Sequence, residues 1–563
     1  KQNGVTGQTV SQSPSQLAAA LFNDANGIQW ALVGDVVVVE TLGAKSGGVI
    51  DNALVFQTVL NAGIIGVLGN NKSYATGSRS SWVANSSGFI SGGKSKVVML
   101  EASFNASAYA GYAANNVGFY AEGFDNPIFK GIHIEFESHT GLRTANGLAL
   151  RACTNLDIDV EASGFSSMQH GAVVVDSCIG GRCYAHVHDI TSNDNTLPSM
   201  QLTGLEVDEN RVSSVYSKDV DFGSPIIENI TLGAAAITAF GYQTDGMTFA
   251  GGATSGTGGC SVNVLTCRNV YEGLDIQSSN HMVGRIRLKD VNIGVKIIHA
   301  GKNNTIGAIE ADRTGGPVVE FGGTSSASEG ASNNKILSIN ARGVGDITGT
   351  GNITSCVAFS GSSRTFKPTN NTVESVKVVE SPLMTAVVID EAGSNNKVLR
   401  VDGLGTVGVA IIDIVQTDPK PVYIEKLLKS ATVATLSVSQ TITSSPTRIA
   451  WDTTRFDSQS EMNLSTGQFT AKAPMTGRVS ATIRTPQLDV GKYIEVRVFA
   501  EGSDISSERH YNSSGGAQEV TLSVAAGLFK LSGLGELVEV LVYTDQASLI
   551  VGTARSSMSI DEI

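Results

Sequence analysis

The chain has 563 residues, 63 of them glycine, and a formal net charge of −13. Charged residues make up 16%, against about 25% in an average globular domain. The acidic balance excludes a nucleic-acid partner, because no segment supplies the basic footprint that a phosphate backbone needs, and no apolar run reaches the ~20 residues required to span a bilayer.

Such a length exceeds one compact core, so the chain divides into domains or grows by repetition. Between its many turns Val, Ile, Thr, Ser and Asn dominate, which is strand chemistry. The first residues, K-Q-N-G-V-T-G-Q-T-V, carry neither an initiator Met nor a charged-then-apolar leader. They read as a chain without a secretion signal, trimmed from one with an upstream segment.

From Val36 to Ala62 a strand leads through a glycine-rich turn to Asp51 as helix N-cap, then to a helix with Leu54, Val55, Val59 and Leu60 at helical spacing. The stretch G-A-K-S-G-G-V-I-D, Gly43 to Asp51, resembles the N-terminal motif of the pectate-lyase superfamily of parallel β-helices. Gly43, Ala44, Lys45, Gly48 and Asp51 match it, while Ser46 and Ile50 stand where Gly and Thr are commoner. The resemblance implies that the helix caps the open end of a coil, covering edges that would otherwise pair with other chains.

A register follows. Gly147-Leu-Ala-Leu, Gly171-Ala-Val-Val, Gly204-Leu-Glu-Val, Gly246-Met-Thr-Phe, Gly273-Leu-Asp-Ile, Gly294-Val-Lys-Ile and Gly316-Pro-Val-Val lie 24, 33, 42, 27, 21 and 22 residues apart. The first and third positions after each glycine are almost all apolar, and alternation places both on one side of a strand. A second register begins with Asn303-Asn304, Asn333-Asn334, Asn370-Asn371 and Asn395-Asn396. Asn tolerates left-handed backbone, so a recurring Asn pair marks a recurring corner and stacked corners an asparagine ladder. Coils of this kind predict a right-handed parallel β-helix.

Six cysteines, at 153, 178, 183, 260, 267 and 356, fit no usual zinc spacing and read as packed free thiols. His186 and His188 share one strand face, with no further ligand pattern beside them in the sequence. His281 and His299 read as corner residues. No metal or cofactor is expected.

The register also arranges the chemistry. Residues preceding the glycines form one column: Asn146, His170, Thr203, Asp245, Glu272, Ile293 and Gly315. Those two after the glycines form a second: Ala149, Val173, Glu206, Thr248, Asp275 and Lys296. Adjacent strands lie about 4.7–4.9 Å apart, so Asp245 and Glu272 are expected neighbours, with Asp275 and Glu206 in the adjoining column. Like charges so placed raise at least one pKa. Glycosidic cleavage uses two carboxyl groups, roughly 5–5.5 Å apart on a retaining path and about 6.5–9.5 Å on an inverting one. Asp245 and Glu272 stand near the first spacing, Glu206 and Asp275 nearer the second. Glu272 or Asp245 is the expected general acid, and Asp275 or Glu206 the partner. His170, Tyr242, Gln243, Asp208 and Arg285 are candidate substrate contacts. Glu206-Val-Asp208-Glu209 also reads as a solvated face, and Asp before Gly is a common turn pair.

The repeat fades near Pro421 to Lys429, and Thr441 to Pro446 reads as a linker. Beyond it, Phe456-Asp457, Gly467, Phe469-Thr-Ala471 and Gly477 resemble the jelly-roll of the complement globular-head and tumour-necrosis-factor superfamily, with Arg478-Val479 where that family shows aromatics. Runs at Tyr493 to Phe499 and Leu537 to Tyr543 supply further strands. The resemblance implies a trimer.

Together these features resemble a bacteriophage tailspike. The expected organisation is all-β: residues 1–130 a lead-in and cap, 131–430 the β-helix, and 431–563 a C-terminal jelly-roll β-sandwich, in an elongated homotrimer. The resemblance implies a virion protein made in the host cytoplasm and joined to the phage baseplate or tail through its upstream segment. It also implies a partner among capsular polysaccharides or lipopolysaccharide O-antigens, cleaved by hydrolysis. Two alternatives remain open: a polysaccharide lyase, for which Arg285, Arg287 and Lys289 offer cationic groups, and a glycan-binding adhesin without catalysis.

Overall fold

The computed structural model describes residues 21–23, 29–31, 36–82, 88–100, 117–137, 146–164, 171–192, 202–208, 216–232, 244–250, 258–299, 301–323, 330–347, 354–361, 364–381, 383–384, 386–391, 393–404, 410–414, 423–427, 431–457, 461–471, 475–531, 535–553 and 556–562. Among them, 26 strands form one parallel sheet that begins at Val36–Val38 and ends at Tyr423–Leu427. Each strand pairs with its counterpart about one coil away: Asn146–Arg151 runs parallel to Val117–Glu122 behind it and to Gly171–Asp176 ahead. That connectivity is a parallel β-helix.

Its interior is a set of stacked columns. Leu148, Val173, Leu205, Met247, Leu274, Val295, Val319, Val357 and Val388 follow one another in register, every one of them 0% exposed. Full burial of such side chains stabilises by about 1.5–3 kcal/mol each, and the column supplies this at every coil.

Two coils depart from the glycine frame expected above. Leu148 pairs with Val173 and Gly171 with Thr203, so Gly171, not His170, stands between Asn146 and Thr203 in the first column. A Cβ at Gly171 would lie 2.6 Å from the Val173 carbonyl oxygen and 2.9 Å from Glu206 Cβ, so the position requires glycine for space. Likewise Val295 pairs with Val319, which displaces the Gly316 frame by two residues. The recurring glycines are also not corner residues. Gly246 lacks left-handed backbone, but a Cβ there would meet the Gly273 carbonyl oxygen at 2.6 Å and Cys267 Sγ at 2.7 Å. Close approach between coils explains the repeat.

The corners are built from asparagine. Asn303, Asn333, Asn370 and Asn395 have φ of +57°, +56°, +58° and +56°. Their neighbours Asn304, Asn334, Asn371 and Asn396 are buried and linked in series, each Nδ2 donating to the next Oδ1 at 3.0, 2.9 and 3.0 Å. The same Oδ1 atoms accept the backbone N–H of the preceding asparagine, as in Asn334 N to Asn371 Oδ1 at 3.1 Å. His281 continues the series: its N–H donates to Asn304 Oδ1 at 2.8 Å, and its ring stacks on Phe249 at 4.0 Å. Burial pushes its pKa down to about 3, so it is neutral and structural. Asn334→Ala breaks the ladder on both sides. It is expected to cost about 1–3 kcal/mol for the orphaned buried groups, read as a lowered midpoint in chemical denaturation; an unchanged midpoint would contradict the ladder's role.

A second corner column was not foreseen. Asp189, Asn229, Asn269, Asp290, Arg313, Gly343 and Glu380 all have φ between +50° and +65°, and the flanking pairings place them on successive coils. Asn229 Nδ2 donates to Asp189 Oδ1 at 2.8 Å, and Asn269 Nδ2 to Asn229 Oδ1 at 3.1 Å. Residue identity varies along this exposed corner, so no sequence repeat marks it.

The helix runs Ala53–Ala62 with Asn52 as N-cap. Asp51 still serves the helix start, its Oδ1 accepting the Ala53 N–H at 2.9 Å and the Gly77 N–H at 2.7 Å. Phe56, Val59 and Leu60 are buried, and Phe56 packs on Tyr74, Phe89 and Phe119. Leu54, expected on the apolar face, is 81% exposed because that face is turned by one position, onto Ala53 and Phe56.

A second core gathers buried residues from Ala434 to Ile560. An antiparallel sheet of Thr453–Asp457, Ala431–Thr435, Ser557–Glu562, Met475–Leu488 and Gln518–Leu531 shares it with another containing Leu537–Thr544, Tyr493–Ala500 and Ser503–Tyr511. The expected linker at Thr441 to Pro446 is partly strand: Gln440–Ile442 pairs with Leu549–Val551, because Ile442 is a core residue. The coil repeat also extends to Tyr423–Leu427, which pairs with Lys397–Val401 inside the stretch where the repeat was expected to fade.

Candidate active site

The strands Thr244–Phe249, Ser261–Ile276 and Met282–Ile297 are consecutive in the sheet, and their register fixes the chemistry. Thr203 pairs with Asp245, Asp245 with Glu272, and Glu272 with Ile293. In the adjoining column Glu206 pairs with Thr248, Thr248 with Asp275, Asp275 with Lys296, and Lys296 with Glu320. Asp245, Glu272 and Asp275 bring carboxylate oxygens within 4.8 Å of one another.

The face bearing them is covered. Asp245, Glu272 and Asp275 are 4%, 8% and 3% exposed, whereas the alternation pattern alone places them on an open surface. Burial therefore dominates their electrostatics. It raises the Glu272 pKa to about 7; the Lys296 ammonium, 2.8 Å from Glu272 Oε1, works against that rise and Asp245 adds to it. Burial raises Asp275 to about 7 as well, opposed by Lys296 and by the Gln277 amide, whose Nε2 donates to Asp275 Oδ2 at 2.5 Å. Asp275 Oδ1 is buried with no hydrogen-bond partner among the described residues. Asp245 Oδ2 accepts from Thr248 Oγ1 at 3.0 Å. Burial acts to lower the Lys296 pKa, but Glu272 and Asp275 outweigh it and hold the ammonium charged.

Lys296 joins the three acids in the structure, and reading the sequence for carboxylates passed over it. It already stood at the end of the second column, and a lone lysine beside three acids was the signal. Glu206 is less available than expected: its Oε2 accepts the Gly171 N–H at 2.7 Å, and it stands two coils from Asp275. Asp208 is a corner staple, not a substrate contact. Its carboxylate accepts the backbone N–H groups of Ser177 and Ser217 and the Ser217 hydroxyl at 2.7–2.9 Å, in a fully buried place where burial raises its pKa to about 7. Arg285 pairs with Glu310 at 3.6 Å, and its register neighbours are Val264 and Ala308, so it belongs to another face of the coil. Arg287 and Lys289 line a surface groove there with Glu310 and Asp312. His170, Tyr242 and Gln243 lie outside the described residues.

The fold is similar to those of phage tailspikes. The enzymatically active domain of tailspike protein 2 from bacteriophage CBA120 shares 11% identity, with 95% of this chain and 82% of that one covered at a TM-score of 0.43. The Dettilon tailspike protein shares 9%, with 92% and 94% covered at a TM-score of 0.45. Eiger TNF from S. frugiperda shares 8%, covering 24% of this chain and 92% of that one at a TM-score of 0.20. Neither a protein-family model nor a curated protein sequence matches the chain. Among the described residues, no helix is long and apolar enough to cross a membrane.

Proposed function

We propose that the chain is a phage tailspike depolymerase that binds a bacterial capsular polysaccharide or O-antigen and hydrolyses its glycosidic bonds at Asp245, Glu272 and Asp275. The observation that carries this reading is three buried carboxylates within 4.8 Å of one another, balanced by one lysine. A fold with so few charges had less costly ways to fill these positions, since each buried ion carries a desolvation penalty of several kcal/mol.

The residue environments divide the roles. Asp275, with a raised pKa and an Oδ1 that has no partner among the described residues, is the proton donor to the leaving oxygen. Glu272, gripped by Lys296, is the carboxylate that attacks the sugar or activates water. Asp245 tunes Glu272 through their direct pairing. The glycan enters at the Glu272–Lys296 edge, where the Lys296 side chain keeps 26% of its surface exposed.

In the same proposal the helix Ala53–Ala62 caps the coil, whose parallel strands begin at Val36–Val38, so the break expected at residue 130 falls inside the coil strand Ile128–Phe136. Residues 131–430 carry the site, and residues 431–563 form a jelly-roll that holds three copies together on a phage tail. Lys296 also supports a second reading, β-elimination, in which it would neutralise a uronate carboxylate beside the abstracted proton. Digesting purified capsules and O-antigens from candidate hosts separates the two. New reducing ends without an ultraviolet-absorbing double bond are expected; the double bond would replace hydrolysis by elimination, and binding without cleavage would leave an adhesin.

A further inference from the structure

Away from those carboxylates, another series of strands stacks two histidines around one glutamate. His133 lies on Ile128–Phe136, Glu161 on Thr154–Ser163 and His188 on Ile179–Ser192, three consecutive coils. The register pairs His133 with Glu161, and Ser163 with His188. Side chains alternating with these, such as Ile132, Val160 and Val187, fill the interior, so the cluster faces outward and is half-buried.

We propose that His133, Glu161 and His188 bind one divalent transition-metal ion of the zinc class, tying three coils together. One donor atom from each lies within 4.8 Å of the other two. Glu161 Oε1 is 3.8 Å from His133 Nδ1 and 3.1 Å from His188 Nε2. Ligands about 2.0–2.1 Å from a tetrahedral zinc stand about 3.3 Å from each other, so small side-chain shifts would complete the geometry.

The second nitrogens make the stronger argument. His133 Nε2 is 2.7 Å from Ser163 Oγ, and His188 Nδ1 is 2.8 Å from Asp189 Oδ2. Each ring thus turns one nitrogen toward the same carboxylate oxygen while the other is fixed from behind, which is how metal-ligating histidines are oriented and their tautomers set. Lys94 Nζ takes the far oxygen, Glu161 Oε2, at 3.1 Å and leaves Oε1 to the cluster. Imidazole and carboxylate donors suit zinc, cobalt, nickel or copper over calcium or magnesium. With three protein donors, a fourth position stays open to water.

The test is a titration of chelator-treated full-length chain with Co²⁺, followed by visible absorption and competed with Zn²⁺. One Co²⁺ per chain is expected, displaced by one equivalent of Zn²⁺, and His133→Ala/His188→Ala should abolish the signal. Asp189→Asn and Ser163→Ala keep all three ligands and should weaken Co²⁺ binding about 10–100-fold, with unchanged circular dichroism. Should the double variant misfold, these two decide the matter. Absence of saturable absorption, or unaltered affinity in all the variants that fold, overturns the site. Polysaccharide cleavage is not the readout, so the outcome is separate from the hydrolase proposal.

Discussion

Glu272→Gln is expected to lower polysaccharide cleavage by about 10²–10⁴-fold, the usual contribution of a positioned acid or base, while the chain keeps its fold. The amide has the size of the acid and can still contact Lys296, now 2.8 Å from Glu272 Oε1, but it neither attacks nor accepts a proton. Asp275→Asn should lose activity by a similar factor for the opposite reason, since it retains a donor but has no acidic proton to deliver. Both acids are raised to about 7 by burial, so the wild-type rate should peak near neutral pH, with apparent pKa values that belong to the pair. In Asp275→Asn the fall on the alkaline side should disappear from the residual rate. Asp245→Asn should cost less, because its Oδ2 is already held by the Thr248 hydroxyl. Cleavage within about twofold of wild type in both Glu272→Gln and Asp275→Asn would remove these columns from the mechanism.

Lys296→Met should produce the largest loss of stability. It strips the cation from buried Glu272 and Asp275, and breaking a buried pair by removing one partner costs about 3–5 kcal/mol. The low end applies here, because the lysine side chain is 26% exposed. The sign of the pH dependence follows from the acids. Their folded pKa values, about 7, lie above their unfolded values, so the fold binds protons more tightly than the unfolded chain does. Their contribution is full below the unfolded values, near 4, and is lost as the pH rises through about 7. Lys296 restrains that loss in the wild type. Thermal unfolding should therefore show a small difference between Lys296→Met and wild type at pH 5 and a large one at pH 8. Equal melting temperatures at pH 8 would mean that Lys296 does not balance the cluster.

Much of this architecture was legible along the chain, because a coil repeats its demands. Every turn needs apolar residues at alternate positions, and this made Leu205, Met247, Leu274 and Val295 readable as a column. The corner at Asn303, Asn333, Asn370 and Asn395 was legible for a related reason: left-handed backbone and an amide able to stack select one residue type. The pairing of Asp245 with Glu272 followed once those frames were aligned. Elsewhere the frame slipped. At Gly171 the sequence shows a glycine followed by apolar residues, and only the packing of Glu206 against it reveals that the strand begins one position later in the column.

Periodicity along one strand, then, was enough to determine the coil, its interior, its asparagine corner and the neighbourhood of two acids. The tertiary structure decided what periodicity does not encode. It buried the face carrying Asp245, Glu272 and Asp275, set Lys296 against them, turned Asp208 into a corner staple and stacked His133, Glu161 and His188 across three coils. The physical reason is that alternation sorts side chains into inside and outside for a single strand. What lies over the outside, and which charges meet there, depends on how far each intervening loop shifts one coil against the next.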